Sequence, residues 1–319
     1  MTMKQKITVF LCAVSLMVLT SFSTLRADNA DRTEWMKGVQ DTALLCRLSI
    51  PGTHDSGAMT GGPFLQTQGV GISEQLAQGI RAFDIRLQER EGKLGIFHSH
   101  VFQRIYWEED VLPVFVAFLR AHPSETLIVS LKKEGGALRD YASLLSASLR
   151  DSVYQPYFIA DFRPELRLKE CRGKILFLHR DSAMNNYPGA ACIGWKDNCS
   201  CLLTLRDKRG REGYVLLQDE YQYQSDKEAD RKIDACICNF ERVSGESASL
   251  CRWGISFVSA TGLPLGTPRT FAEKINKPVA DYIERAGRRN YGIVFIDFVD
   301  APGGNALVEN LIGSNFAEM

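Results

Sequence analysis

The sequence predicts an α/β protein folded as one (β/α)8 barrel of the TIM type, on three observations. Eight short apolar runs are spread along about 290 residues, a length typical of one such barrel with insertions. Several runs are apolar without alternation, as in Ile175-Leu176-Phe177-Leu178 and Ile293-Val294-Phe295-Ile296. Such runs suit parallel strands covered by helices on both faces. Helical patterns fill many of the gaps, and no glycine-rich phosphate loop follows the first run, which disfavours an open doubly wound sheet.

The N-terminus reads as an export signal rather than as part of the fold. Lys4 and Lys6 precede an apolar core from Ile7 to Leu19, followed by small and polar residues up to Ala27. That is the order of a secretory signal peptide, and the core is shorter than the roughly 20 residues of a membrane span. Residues 1–27 are expected to be removed, which leaves 28–319 as the folded barrel in a secreted or periplasmic protein. Cys12 lies within the apolar core, not at its end, so it is not read as a lipid attachment site.

The strand candidates are Cys46–Ile50, Ala82–Arg86, Leu94–His98, Thr126–Leu131, Lys174–His179, Tyr214–Gln218, Trp253–Val258 and Ile293–Asp297. Between them, Asp110–Ala121 carries Val111, Val114, Phe115 and Phe118 on one helical face. Ser225-x-x-Glu228 and Thr270-x-x-Glu273 read as capping boxes at two further helix starts. Asn185–Arg211 has no clear period and reads as a long excursion.

Composition narrows the function. Lys plus Arg equals Asp plus Glu, 38 each, so nothing favours nucleic acid, and no strong field draws the protein to anionic membrane. Of nine cysteines, eight follow the export segment, two C-x-C pairs among them. An exported chain permits disulfides. The C-x-C spacing and the absence of a nearby histidine argue against zinc, leaving disulfides or buried thiols.

The ends of the apolar runs carry the chemistry. Ile50 leads to His54 and Asp55, and the next runs end at Arg86, His98, Lys132, His179-Arg180, Asp219 with Tyr221, and Asp297. In a parallel barrel all strand C-termini open on one face, so these distant residues converge there. Histidines, fixed positive charges and carboxylates together suit acid–base transfer at a phosphate. Any single charge at a strand end is ordinarily the solvated start of a loop.

The chain resembles bacterial phosphatidylinositol-specific phospholipase C, the metal-independent branch of the phospholipase C X-domain family. The matching stretches are SIPGTHDSG at Ser49–Gly57, GIRAFDIR at Gly79–Arg86, FHSHV at Phe97–Val101 and HPSETLIVSLKKE at His122–Glu134. RGKILFLHR at Arg172–Arg180, LQDEY at Leu217–Tyr221 and YGIVFIDFV at Tyr291–Val299 complete an ordered set from about Asn29 to the C-terminus. The resemblance implies a distorted barrel that cleaves phosphatidylinositol to diacylglycerol and inositol 1,2-cyclic phosphate. It implies His54 as general base oriented by Asp297, and His98 as general acid supported by Asp55. It implies Arg86 on the phosphate, and Lys132, Arg180, Asp219 and Tyr221 around the inositol. Calcium-dependent relatives place the ion where Arg86 stands here, so no metal or other cofactor is expected.

Two departures from the family pattern bear on these roles. Ser99 and His100 follow His98, and strand alternation would put both histidines on one face, making His100 a rival acid. His122 and His179 match no catalytic position and are expected to be a surface-loop residue and a packing residue. The rim lacks tryptophan but offers Phe64 and Leu65 on one loop and Leu263, Pro264 and Leu265 on another. Those could make transient contact with a membrane or pack beneath their loops. The resemblance implies an inositol phospholipid as substrate, with soluble glycerophosphoinositol or a glycosylated lipid anchor as alternatives, and a monomer is expected. A non-catalytic barrel binding inositol or phosphate would have lost a histidine or Arg86. A metal-dependent glycerophosphodiesterase would need a carboxylate cluster in place of Arg86.

Overall fold

The computed structural model describes residues 32–181, 186–246 and 250–316; the expected signal segment, residues 1–27, lies outside them. Runs rich in Ile, Val, Leu and Phe form strands because branched side chains pack well on a pleated surface buried on both sides. The strands are β1 Ile50–Thr53, β2 Ala82–Arg90, β3 Lys93–His98, β4 Val101–Tyr106, β5 Leu127–Lys133 and β6 Ile175–His179. They continue with β7 Ala190–Ile193, β8 Ser200–Arg206, β9 Glu212–Gln218, β10 Trp253–Phe257 and β11 Ile293–Ile296.

Nine of these close into a barrel in the order β1, β2, β5, β6, β7, β8, β9, β10, β11 and back to β1. Every neighbouring pair is parallel except those made by β8, which runs against both β7 and β9. The seam between β1 and β2 is short, pairing only Gly52 with Ala82 and Thr53 with Phe83. A Cβ on Gly52 would lie 2.8 Å from the Cβ of Ala82, so closure there requires glycine.

The fold class is the one the apolar runs predict, and eight ring strands are parallel, but they are not the same eight. Leu94–His98 is β3, which pairs antiparallel with the outer end of β2 and stays outside the ring. Its place is taken by Ala190–Ile193, inside the stretch read as an excursion, and β8 lies there too. Four residues of Ala-Ala-Cys-Ile are too short to stand out. In β8, Leu202 is 52% exposed beside buried Leu203, which hides the period. The first run also shifts: Leu45–Arg47 is a 3-10 turn, and the strand starts at Ile50 and continues through Pro51 and Gly52.

Helices cover the ring between the strands. Leu112–Ala121 sits between β4 and β5, Leu138–Arg150 between β5 and β6, and Ala229–Gly245 between β9 and β10. Pro268–Ala286 lies between β10 and β11, and Pro302–Gly313 follows β11. The expected Thr270 box is displaced one turn: the Thr267 side chain accepts the Thr270 N–H and Pro268 opens the helix. At Ser225 the hydroxyl caps Lys227 N–H, starting a 3-10 turn that leads into Ala229–Gly245. Among the described residues no helix is long and apolar enough to cross a membrane.

Candidate active site

The C-terminal ends of the parallel strands bring the predicted residues together. His54 and Asp55 follow β1, Arg86 lies on β2, Lys132 on β5, Arg180 follows β6, Asp219 follows β9 and Asp297 follows β11. His98 arrives by another route. β2 runs on beyond the ring, where Leu87–Arg90 pair with Lys93–Ile96, so β3 runs back toward the mouth from outside. The turn at Asp55, held at φ 39, lets its carboxylate face inward just after His54.

Arg86 stands at the centre. Its Nη1 is 2.9 Å from Asp55 Oδ2 and its Nη2 is 3.3 Å from Asp84 Oδ2. Nη2 also lies 2.8 Å from His54 Nε2. A guanidinium only donates, so Nε2 accepts and the neutral imidazole carries its proton on Nδ1. That nitrogen is 2.8 Å from Asp297 Oδ1, which accepts the bond. Sequence-distant Asp297, rather than adjacent Asp55, therefore fixes the His54 tautomer.

His98 completes the group. Its Nε2 is 3.3 Å from Asp55 Oδ2, and the two imidazoles stand edge to face with centroids 6.4 Å apart. Asp55 is thus shared: its Oδ2 is also 3.5 Å from His54 Nε2. His100 does not compete. The strand ends at His98, Ser99 turns with φ 54, and His100 is left exposed against the Ser99 hydroxyl. Alternation fails there because the backbone leaves the strand one residue before His100.

Burial and charge tune these groups in opposite directions. Burial and the adjacent Arg86 hold His54 well below its ordinary value, so its imidazole is neutral around pH 7. Burial raises Asp55 to about 6 against the pull of Arg86. Burial would also raise Asp84, but Arg86 and Arg180 outweigh it and hold that carboxyl well below the usual range. Burial and nearby Asp55 raise Asp297, and the His54 Nδ1–H is the donor that meets its carboxylate.

A second cluster lines the same mouth. Arg180 Nη2 is 3.2 Å from Asp219 Oδ2, which also accepts the Trp195 indole N–H at 2.9 Å. The Arg180 guanidinium lies 4.1 Å over the Trp195 ring. Lys132 Nζ pairs with Glu134 Oε2 at 2.9 Å, and the other Glu134 oxygen is 3.7 Å from Arg86. Tyr221 follows Asp219 by two residues, and its hydroxyl donates to Asp197 at 2.8 Å. His179 is buried, donating from Nε2 to the Pro188 carbonyl, with burial lowering it to about 4. His122 is half-buried beside Glu34.

Asp84, Glu134 and Trp195 went unread in the sequence. Asp84 and Glu134 are each two residues from a predicted site residue and so on the same strand face, a signal that strand alternation supplies. Trp195 lies in the stretch without period and gave none. Among the described residues, one group, His54, Asp55 and Asp84, has metal-ligating atoms within 4.8 Å of one another. Arg86 already pairs with both carboxylates, and three donors fall short of the six to eight oxygens that calcium takes. Among the described residues no disulfide joins the eight cysteines after residue 27; Cys199 and Cys201 approach to 3.0 Å between sulfurs.

Known proteins share this sequence pattern and architecture. Residues 42–181 match the family model described as phosphatidylinositol-specific phospholipase C, X domain. The chain is 26% identical over 302 residues to a 1-phosphatidylinositol phosphodiesterase of Listeria monocytogenes, covering 88% of this chain and 84% of the relative. It is 25% identical over 338 residues to one of Staphylococcus aureus, covering 98% and 100%. A double mutant of the phosphatidylinositol-specific phospholipase C from S. aureus superposes with a TM-score of 0.81 at 24% identity, over 91% of this chain and 98% of its own. The L. monocytogenes enzyme superposes with a TM-score of 0.71 at 25% identity, over 88% and 99%.

Proposed function

We infer that this chain belongs to the bacterial phosphatidylinositol-specific phospholipase C family and is a phosphatidylinositol phosphodiesterase. The observation that carries the chemistry is Arg86 held between His54, oriented by Asp297, and Asp55, which contacts His98. Two imidazoles, His54 on Asp297 and His98 on Asp55, flank one fixed positive charge, which is what in-line displacement at a phosphodiester needs.

In this reading the inositol 2-hydroxyl takes the place beside His54 Nε2 that Arg86 Nη2 holds, and loses its proton to that nitrogen. Its oxygen forms the new bond to phosphorus while the bond from phosphorus to the diacylglycerol oxygen breaks. His98, with Asp55, gives that oxygen its proton. Arg86 binds the non-bridging oxygens, whose charge grows in the transition state. Lys132, Arg180 and Asp219 meet the ring hydroxyls, and Tyr221 flanks the ring. The products are diacylglycerol and inositol 1,2-cyclic phosphate, which is hydrolysed slowly afterwards. Arg86 supplies the charge a divalent ion would bring, so the reaction proceeds without metal. Phosphorus NMR of phosphatidylinositol vesicles tests the chemistry. The cyclic phosphate appears first, and inositol 1-phosphate forming without it would overturn the mechanism.

The order of basic, apolar and small residues in 1–27 supports export to the periplasm or medium, with residues 28–319 as the working chain, which we read as a monomer. Its mature N-terminus, read from exported protein, is expected near residue 28. Membrane contact is proposed through the loop after β10. Leu263 is 65% exposed and Leu265 is 70% exposed, so neither packs beneath its loop. Phe64, on the loop after β1 at the same end of the barrel, is 41% exposed. Burying a leucine is worth about 1.5–3 kcal/mol. Replacing Leu263 and Leu265 with serine is therefore expected to weaken vesicle binding about tenfold or more, read by sedimentation with sucrose-loaded vesicles. Turnover of a soluble inositol phosphodiester should stay the same. Unchanged vesicle binding would remove this loop from the interface.

A further inference from the structure

The loop after β1 does more than present an apolar tip. Its residues 61–64 are exposed, yet Leu65, next to Phe64, turns its backbone carbonyl inward to His98 Nδ1 at 2.7 Å. A carbonyl only accepts, so Nδ1 must carry a proton. With Nδ1 so engaged, Nε2 is the nitrogen left to face Asp55, at 3.3 Å. Without that carbonyl the ring could flip or exchange tautomers, and its proton would no longer point at the leaving oxygen.

The carbonyl is itself held by a tight turn. The N–H groups of Leu65 and Gln66 both donate to the Gly62 carbonyl, at 3.1 and 3.0 Å. Gly61 and Gly62 have φ of +104 and +80, a region that disfavours side chains. Thr60, at the start of the turn, donates from its N–H and hydroxyl to Gln103 Oε1 on β4, at 2.9 and 3.0 Å. The loop is thereby fastened to the same outer hairpin that carries His98.

We propose that the turn at residues 60–66 is the positioning element for the general acid, acting through the Leu65 carbonyl on His98 Nδ1. Leu65 is then a positioning residue rather than a catalytic one, and its backbone atom is the part that acts. Phe64 adjoins it, so a lipid surface that holds the loop tip also holds the carbonyl that orients the acid. The inference rests on the reading of His98 as the acid.

Leaving-group dependence tests it. Two water-soluble inositol 1-phosphodiesters are compared, one with an alkyl alcohol as leaving group and one with p-nitrophenol. Nitrophenolate departs without a proton, whereas the alkoxide needs one, and general-acid catalysis is commonly worth about 10²–10⁴-fold. Gly62→Pro forces φ to about −65° and breaks the turn, and Leu65→Gly leaves the turn but frees the carbonyl. Each is expected to slow the alkyl substrate about tenfold or more, Gly62→Pro the more, with the aryl substrate changed less than about threefold. Retained aryl turnover also shows that each variant is folded. Equal losses on both substrates, or none on either, for Leu65→Gly would overturn the proposal. His98→Ala is the control: selective loss of the alkyl substrate supports His98 as the acid. Equal loss on both substrates there would defeat that reading, and the proposal with it.

Discussion

His54→Ala is expected to lower turnover of phosphatidylinositol about 10³-fold or more, because in the proposed mechanism it removes both the base and the link from the 2-hydroxyl to Asp297. The neighbouring groups that hold His54 neutral also set the pH dependence. Its protonation value is depressed by burial and by Arg86. The base is active while unprotonated, so the acid limb of kcat/KM for the wild type lies below the ordinary histidine value of about 6.5. Activity is then kept as pH falls toward 6 and lost only as His54 takes up its proton. An acid limb at or above 6.5 would show that Arg86 does not act on His54 in this way. Residual His54→Ala activity within tenfold of wild type would assign the base elsewhere.

Arg86→Leu is expected to be comparably damaging, with about a 10²–10³-fold loss in turnover and a second effect that His54→Ala lacks. Arg86 is the shared partner of buried Asp55 and Asp84 and of half-buried Glu134. Removing one partner of a buried ion pair commonly costs about 3–5 kcal/mol, so the variant should unfold at markedly lower urea. The effect has a direction in pH. A carboxyl held below its unfolded value stabilises the fold above that value and ceases to as pH falls through the depressed one. Asp84 is such a group, so wild type carries this contribution near neutrality and the variant does not. The gap in stability between the two should therefore narrow as pH falls toward 3, where the carboxyls of the variant are protonated. Asp55, raised to about 6, works the other way and favours the fold at low pH in the wild type. Urea midpoints that differ equally at pH 7 and pH 3 would contradict the assignment of Asp84 to Arg86. Arg86→Lys keeps a charge but not the fork that spans two carboxylates, and should recover stability more than turnover.

Much of this site was legible because a parallel barrel turns strand ends into a surface. Arg86, Lys132, Arg180, Asp219 and Asp297 each close an apolar run, and the fold delivers them to one mouth. His98 reached that mouth as expected, though by an outer antiparallel hairpin rather than as the end of a ring strand. Apolar content alone cannot separate the two, since Leu94, Ile96 and Phe97 of β3 are as buried as the residues of a ring strand. Residues that act from the middle of a strand face were harder to see. Asp84 sits between Phe83 and Ile85 and looks like an interruption of a buried run, yet it is fully buried against Arg86. Trp195 stacks on Arg180 and binds Asp219 from a connection between two short strands with no readable period. The Leu65 carbonyl was beyond any sequence reading, because its role belongs to the backbone.

The central claim is that a fixed guanidinium, with two imidazoles, does the work a metal would otherwise do. It is tested by incubating the purified protein with phosphatidylinositol vesicles in excess chelator and following the products by phosphorus NMR. The expected result is inositol 1,2-cyclic phosphate formed at the same rate with and without chelator. No cyclic phosphate, or a rate that returns only on adding calcium, would contradict it.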